Sequence, residues 1–354
     1  MELRPQTKTT SVDRFLIIVL GEDRTTTLPS MQPSLTLASL LITFTRFIPV
    51  LGLSSASTRR SNTFVLQPWS SNEALGQARV VYTDSLLEVT VTSPDAVETV
   101  VHVPIPEEEG NLASSLWPAS CAAAVWWNKY GAALLTDYDY TKKEKTDQSL
   151  RILELGSGLG VTGWMTGVVA SRQEELDVSL VLSDQDEQAL ERLASSAKHN
   201  PDTSSRLHVE TRRLDWRDEH DKESEERFDL VVGSDLAYYG FLLGPLADTI
   251  ETFGKKALVV LVSPTKRQSL WELYHLMRDG GYNVKTDVRG GPWPGTIRML
   301  LFHLHCLDDG STSPMAVLCW TSNTSFKRRL EYLIETEDFH IVTKEDEERI
   351  EKTF

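Results

Sequence analysis

Ile152-Leu153-Glu154-Leu155-Gly156-Ser157-Gly158-Leu159-Gly160 carries an apolar strand into a glycine-rich turn, with a helix beginning near Val161. Glycine has no Cβ, so such a turn lets the backbone come close to a bound nucleotide-like ligand at the start of a helix. A plain tight turn between strand and helix favours the same residues, and this stretch alone leaves both readings open. A dinucleotide site expects G-x-G-x-x-G, and Val161 stands at the sixth position.

Outward from this turn, apolar strands alternate with helical periods. Strands are expected near 151–155, 178–183, 207–214, 228–234 and 256–263, separated by segments long enough for crossover helices. That is the pattern of a parallel α/β sheet. A helix over Lys266–Arg278 ends at Gly280-Gly281, and Tyr282–Val288 and Thr296–Leu307 read as two further strands joined as an antiparallel pair by the Gly290–Gly295 loop. Met315–Thr321 reads as a strand, Phe326–Glu335 as a helix and Lys344–Lys352 as a charged tail helix. Upstream, Arg79–Tyr82, Leu86–Thr92 and Glu98–Ile105 are rich in β-branched residues and predict a small β element, with ordered structure starting near Ala78. Leu116-Trp117-Pro118-Ala119-Ser120 opens a helix with proline in its first turn, Gly131 is read as its stop, and 132–149 as a polar loop.

The 354 residues are 40% hydrophobic and 25% charged, a globular balance that excludes a wholly disordered or collagen-like chain. Three cysteines, Cys121, Cys306 and Cys319, have neither metal-ligand spacing nor a disulfide framework, which fits reducing conditions. The formal charge of −15 argues against unspecific binding to nucleic acid. It is unevenly spread: residues 1–72 hold seven basic and four acidic side chains, and the remainder 29 against 47.

From Arg24 to Asn72 there is no acidic residue, and 17 of 49 positions are Ser or Thr. Residues 1–72 are therefore expected to be a leader addressing a plastid or mitochondrion, or a disordered extension of a cytoplasmic protein. Leu35–Leu53 resembles a signal-peptide core or a weak membrane span, but Arg46 and Pro49 oppose a span, a central charge costing roughly 2.5–3.5 kcal/mol on insertion scales. Membrane contact is expected only if 35–53 is retained as an anchor.

Val181-Leu182-Ser183-Asp184 puts an acid at a strand's carboxyl end, where it could grip ribose hydroxyls or cap the helix beginning near Asp186. Five motifs then occur in order: Trp117-Pro118-Ala119-Ser120, Leu153-Glu154-Leu155-Gly156-Ser157-Gly158, Ser183-Asp184, Leu214-Asp215-Trp216, and Phe228-Asp229-Leu230-Val231-Val232-Gly233-Ser234-Asp235-Leu236-Ala237-Tyr238. Together they resemble the seven-β-strand protein-lysine methyltransferase family, whose members modify chaperones and translation factors. The resemblance covers roughly residues 75–305, and five ordered motifs are far more specific than one.

The resemblance implies a Rossmann-like class I methyltransferase fold: a seven-stranded, mostly parallel sheet with an antiparallel final strand and helices on both faces. The expected division is a methyltransferase domain over 75–307 and a C-terminal extension over 308–354. It also implies S-adenosylmethionine bound across the carboxyl ends of the first strands. Glu154 and the Gly156-Ser157-Gly158-Gly160 turn would hold the donor's amino-acid end, Asp184 its ribose, and Asp215 and Trp216 would flank the adenine. Ser234 would lie beside the donor and Trp117 would close over it. Asp235 and Tyr238 match the family's Asp-x-x-Tyr motif and are the candidates for positioning the acceptor nitrogen. An amino-methyltransferase of nucleobases would place two prolines where Leu236 and Ala237 stand. Trp126 and Trp127 are read as core. His303 and His305 alternate on a strand without a metal constellation.

The implied activity is N-methylation of a lysine on a protein substrate by a monomer, with no nucleic-acid partner. Two alternatives stand beside it: methylation of a small-molecule amine or another protein side chain, and a catalytically silent module that binds S-adenosylmethionine.

Overall fold

Two kinds of strand burial organise the molecule. The computed structural model describes residues 61–95, 97–105, 112–136, 149–173, 176–200, 205–218, 226–280, 292–337 and 339–352. The stretch 35–53 and the strand expected at 282–288 lie outside the described residues. Four strands come first, β1 (Ser61–Pro68), β2 (Gly76–Tyr82), β3 (Leu86–Thr92) and β4 (Glu98–Pro104), and then helix α1 (Pro118–Leu135). The alternating part follows: β5 (Leu150–Glu154), α2 (Val161–Ser171), β6 (Val178–Asp184), α3 (Glu187–Ser196), β7 (Leu207–Arg213), β8 (Leu230–Ser234), α4 (Leu243–Gly254), β9 (Leu258–Pro264) and α5 (Gln268–Asp279). The chain then adds β10 (Thr296–Cys306), β11 (Thr312–Thr321), α6 (Thr324–Thr336), β12 (His340–Ile341) and α7 (Lys344–Glu351).

β9, with all seven residues buried, and β8, with Leu230–Gly233 buried, have the continuous apolar burial of strands covered on both faces. β3 and β4 alternate in burial and read as strands with one solvated face.

All twelve strands join one sheet, in the order β4-β3-β2-β1-β10-β11-β9-β8-β5-β6-β7, with β12 beside β10. The strands β9-β8-β5-β6-β7 are parallel, and β11 is antiparallel to both neighbours. This is the expected Rossmann-like α/β architecture, with two differences of extent. Among the described residues the sheet has twelve strands rather than seven, because the N-terminal β element is continuous with it through β1 and β10. The described strands begin with β1 at Ser61, ahead of the start expected near Ala78, so β1 lies within the stretch read as a leader. At the other end β11 fills the place between β10 and β9, so residues 312–321, assigned to a C-terminal extension, are an interior strand. β10 makes its hairpin with β11.

Helices cover both faces. α1, α2, α3 and α6 pack in one apolar cluster that also takes the inner face of β1–β4; α4 and α5 pack in the other. Trp126 and Trp127 are fully buried core residues, as read from the sequence. Gly131 does not stop α1. A Cβ there would lie 2.8 Å from Val169 Cγ1, so this glycine permits the close approach of α1 and α2. The outer edge of β4 is closed by side chains: Asn200 exchanges two 2.8 Å hydrogen bonds with the His102 backbone, and Arg172 donates to Thr99 Oγ1 and the Glu98 carbonyl. Covering an edge in this way blocks further strand pairing. Among the described residues no helix is long and apolar enough to cross a membrane.

Candidate functional site

The chain leaves β5 towards β6 and β7 on one side and places β8 and β9 on the other, so the gap between β5 and β8 is the switch point of the parallel sheet. Ligands of open α/β sheets bind there, outside the strands' carboxyl ends. Register puts Glu154 level with Leu182 and Val232, which brings the residues following β5, β6 and β8 together.

The turn after β5 requires its glycines. Gly156, Gly158 and Gly160 have φ of 54°, 53° and 76°, the left-handed region that side chains disfavour. The turn is tied to its surroundings by Ser157 N–H on the Ser183 carbonyl (2.8 Å) and by Gly158 N–H on Asp184 Oδ2 (2.9 Å). Asp184 also accepts from Asp186 N–H at 3.0 Å; the cap of α3 is Asp186 itself, bonded to the N–H groups of Gln188 and Ala189. Asp184 is therefore held at the end of β6 facing the glycine turn. Loss of hydration pushes its carboxyl up, against the pull of these N–H donors.

Glu154 lies beneath the turn. It is 2% exposed, its Oε2 has no hydrogen-bond partner among the described residues, and a Cβ on Gly163 would lie 2.5 Å from that oxygen. Burial pushes its carboxyl up to about 8, with the Gly163 N–H and the Ser157 hydroxyl acting in the opposite direction. A buried carboxyl oxygen without a donor suits a cationic or hydrogen-bonding ligand group.

Two helix N-termini flank this carboxyl. α2 starts from Gly160 without a side-chain cap, so its first N–H groups face outward for an anion; α1 starts from Trp117, also without a side-chain cap, but its first residue, Pro118, has no N–H and Ser120 N–H is bonded to the Trp117 carbonyl at 2.9 Å. Ser234, at the end of β8, links both: its hydroxyl lies 3.0 Å from Ser120 Oγ and accepts from Thr162 Oγ1 at 3.1 Å. Trp117 donates from Nε1 to the Leu112 carbonyl (3.0 Å), and Arg192 holds the Ala113 carbonyl (3.3 Å). Ala113 O lies 3.5 Å from where a Cβ on Gly158 would be, so this segment straps the glycine turn. Arg192 was not legible as a site residue, because a single exposed-type side chain on a helix carries no motif.

Trp216 lies over Gly156, whose Cβ would be 3.2 Å from the indole. Asp215 accepts from Arg217 through Nε (2.9 Å) and Nη2 (2.7 Å), and these bonds hold its carboxyl below the usual range; Arg217 also reaches Gln185. Asp215 thus has a partner on its own turn.

After β8 the chain bends at Asp235, whose φ of +51° makes it the one non-glycine residue in the left-handed region among the described residues. Its carboxylate is not free. Arg267 donates Nε to Oδ1 at 2.9 Å and Nη2 to Oδ2 at 2.8 Å, and Ser263 Oγ lies 3.3 Å from Oδ1. The sequence reading missed Arg267; its only signal is a basic residue just beyond the neighbouring strand's end. Tyr238 is half-buried, and its hydroxyl is pushed up by burial first and then by the charges of Asp184 and Asp235. It meets Tyr239 edge-on at 4.7 Å, and Tyr239 stacks on Phe241 at 5.3 Å, giving an exposed aromatic rim. All the sequence-predicted residues therefore gather at the same strand ends, with Asp215 and Asp235 engaged by arginines. Among the described residues no group of three or more His, Cys, Asp or Glu is arranged to hold a metal ion.

Comparison with known proteins finds partial similarities. Residues 101–275 match the family described as lysine methyltransferase. The protein N-lysine methyltransferase METTL21A of Danio rerio is 28% identical over 148 residues, which is 42% of this chain and 62% of that protein. The chain thus spans less than two thirds of that relative. Among solved structures, a SAM-dependent methyltransferase from Agrobacterium tumefaciens aligns with a TM-score of 0.41 at 13% identity, covering 76% of this chain and 92% of the other. Magnesium protoporphyrin IX methyltransferase from Synechocystis, solved with bound SAH, aligns with a TM-score of 0.33 at 14% identity, covering 61% and 90%.

Proposed function

We propose that this chain, whose residues 101–275 match the family described as lysine methyltransferase, methylates the side-chain amine of a lysine on a protein, with S-adenosylmethionine as donor. The observation that carries the reading is a convergence. The left-handed glycine turn, Asp184, and the Asp235–Tyr238 segment meet at the carboxyl ends of three adjacent parallel strands.

The residues present fit the donor. The uncapped N-terminus of α2 suits a carboxylate, the Oε2 of Glu154, without a partner among the described residues, suits an ammonium, and Asp184 would take the hydroxyls. Gly156, Ser157, Gly158 and Gly160 would cradle the amino-acid end beside Ser234, Trp117 would fix the strap above it, and Asp215 and Trp216 would flank the base. When bound, S-adenosylmethionine supplies a methyl group on a positively charged sulfur.

The chain's task is then to present a nitrogen lone pair in line with that methyl, a matter of positioning. A lysine's ordinary pKa lies near 10.4, so neutralising it at pH 7.5 costs about 4 kcal/mol. Asp235 and Tyr238 would orient the amine, and the Tyr239–Phe241 rim would receive the chain that bears it.

Methyl-labelled donor incubated with this protein and a cell lysate tests the reading. Label recovered as methyl-lysine in protein supports it, and label only in small molecules overturns the protein substrate. A folded sample that gives no calorimetric signal with S-adenosylmethionine overturns methyl transfer altogether.

A further inference from the structure

A bare carboxylate beside an acceptor amine stabilises the ammonium, the protonation state that cannot accept a methyl group. The structure resolves this conflict at Asp235. Its carboxylate is 6% exposed and paired in both oxygens by the planar fork of Arg267, itself 29% exposed at the start of α5. A carboxylate offers about four acceptor positions. Arg267 and Ser263 occupy three here, which leaves one on Oδ2.

We propose that Arg267 is a positioning residue that sets the protonation state in which the amine is taken. By neutralising Asp235 it leaves an acceptor position on Oδ2 that orients a neutral amine without trapping an ammonium. The proposal rests on the amine-acceptor reading above. The other groups near the pair are Tyr238 and Tyr239 on the same loop, Asp184 at the end of β6, and Arg217 in the turn after β7, itself paired with Asp215. Arg267 thus supplies the compensating charge in direct contact with Asp235. A bidentate arginine suits the task better than lysine, because its fork fixes the carboxylate plane as well as its charge.

The test uses n-butylamine, a lysine side chain without its backbone, titrated by NMR into the full chain saturated with S-adenosylhomocysteine at pH 7, 8 and 9. In the wild type the affinity rises about tenfold per pH unit, following the neutral fraction of an amine whose pKa lies near that of lysine. In Arg267→Gln the affinity becomes independent of pH and exceeds the wild-type value at pH 7, because the exposed carboxylate now binds the ammonium. Arg267→Lys restores the wild-type slope. Equal slopes in wild type and Arg267→Gln overturn the proposal and leave the pair a purely structural clamp on the Asp235 turn. A flat wild-type profile overturns it without any variant. Absence of n-butylamine binding at every pH, in a protein that binds S-adenosylhomocysteine, overturns the amine-acceptor reading itself.

Discussion

Glu154 shows how one buried group couples folding to ligand binding. Its folded pKa, about 8, lies above the ordinary glutamate value, so the stability tied to its protonated form is fully present below about pH 4.5 and is lost as pH rises through 8. Glu154→Gln keeps the shape without the charge, and its melting temperature should fall less than the wild type's between pH 7 and 9. At pH 7 the carboxyl is mostly protonated, and a donor ammonium brought to it favours its ionisation. Binding of S-adenosylmethionine should therefore release protons, read by calorimetry in two buffers of different ionisation enthalpy. Glu154→Gln should abolish that release and weaken binding roughly ten- to a hundredfold, the span of a hydrogen bond to a charged group. The glycines make a second comparison at this scale. Gly310→Ala meets open space and carries only the left-handed cost, about 1 kcal/mol in denaturant titration. Gly160→Ala adds a methyl 2.5 Å from Leu193 Cδ2 and should cost about 2–4 kcal/mol. The glycine pattern at 156–160 was readable from the sequence because backbone conformation restricts residue type locally. The Asp235–Arg267 pair was not, since 32 residues separate its members and only the adjacency of β8 and β9 brings them together.

At the scale of elements, local patterns located the parallel strands to within a residue or two, and the errors arose where packing overrode them. Gly131 reads as a helix stop by composition, yet α1 runs through it, because a residue with no side chain is what the α1–α2 contact needs. The antiparallel strands β2–β4 were likewise legible from their alternation, but their docking was not. It combines the apolar faces packed under α1 and α2 with single polar side chains such as Asn200, whose amide matches the outward N–H and C=O of His102. Asn200→Ala should cost about 1–3 kcal/mol, two hydrogen bonds' worth, and hydrogen exchange should show β4 opening more readily than β6. Equal protection of the two strands in that variant would show that apolar packing alone holds β4.

Across the whole molecule, β1 joins the N-terminal strands to the main sheet, pairing β2 on one side and β10 on the other. A chain beginning at Gly76 leaves both partners with an unpaired edge in mid-sheet and exposes the cluster that Leu66 completes. It should bind a hydrophobic dye and aggregate on mild heating, in contrast to a chain beginning at Ser57. The uneven charge of the sequence takes a different meaning in this light. The last part of the acid-free stretch that ends at Asn72 contains β1, a strand of the main sheet.

The parallel α/β class, the glycine turn and the order of the site motifs can be read from the amino-acid order, because apolar periodicity and left-handed backbone act over a few residues. That β1 and β11 lie inside the sheet, that Gly131 is a contact, and that Arg267 holds Asp235 emerge only from the folded chain. Each of these depends on which distant segments lie side by side, and no local pattern carries that information.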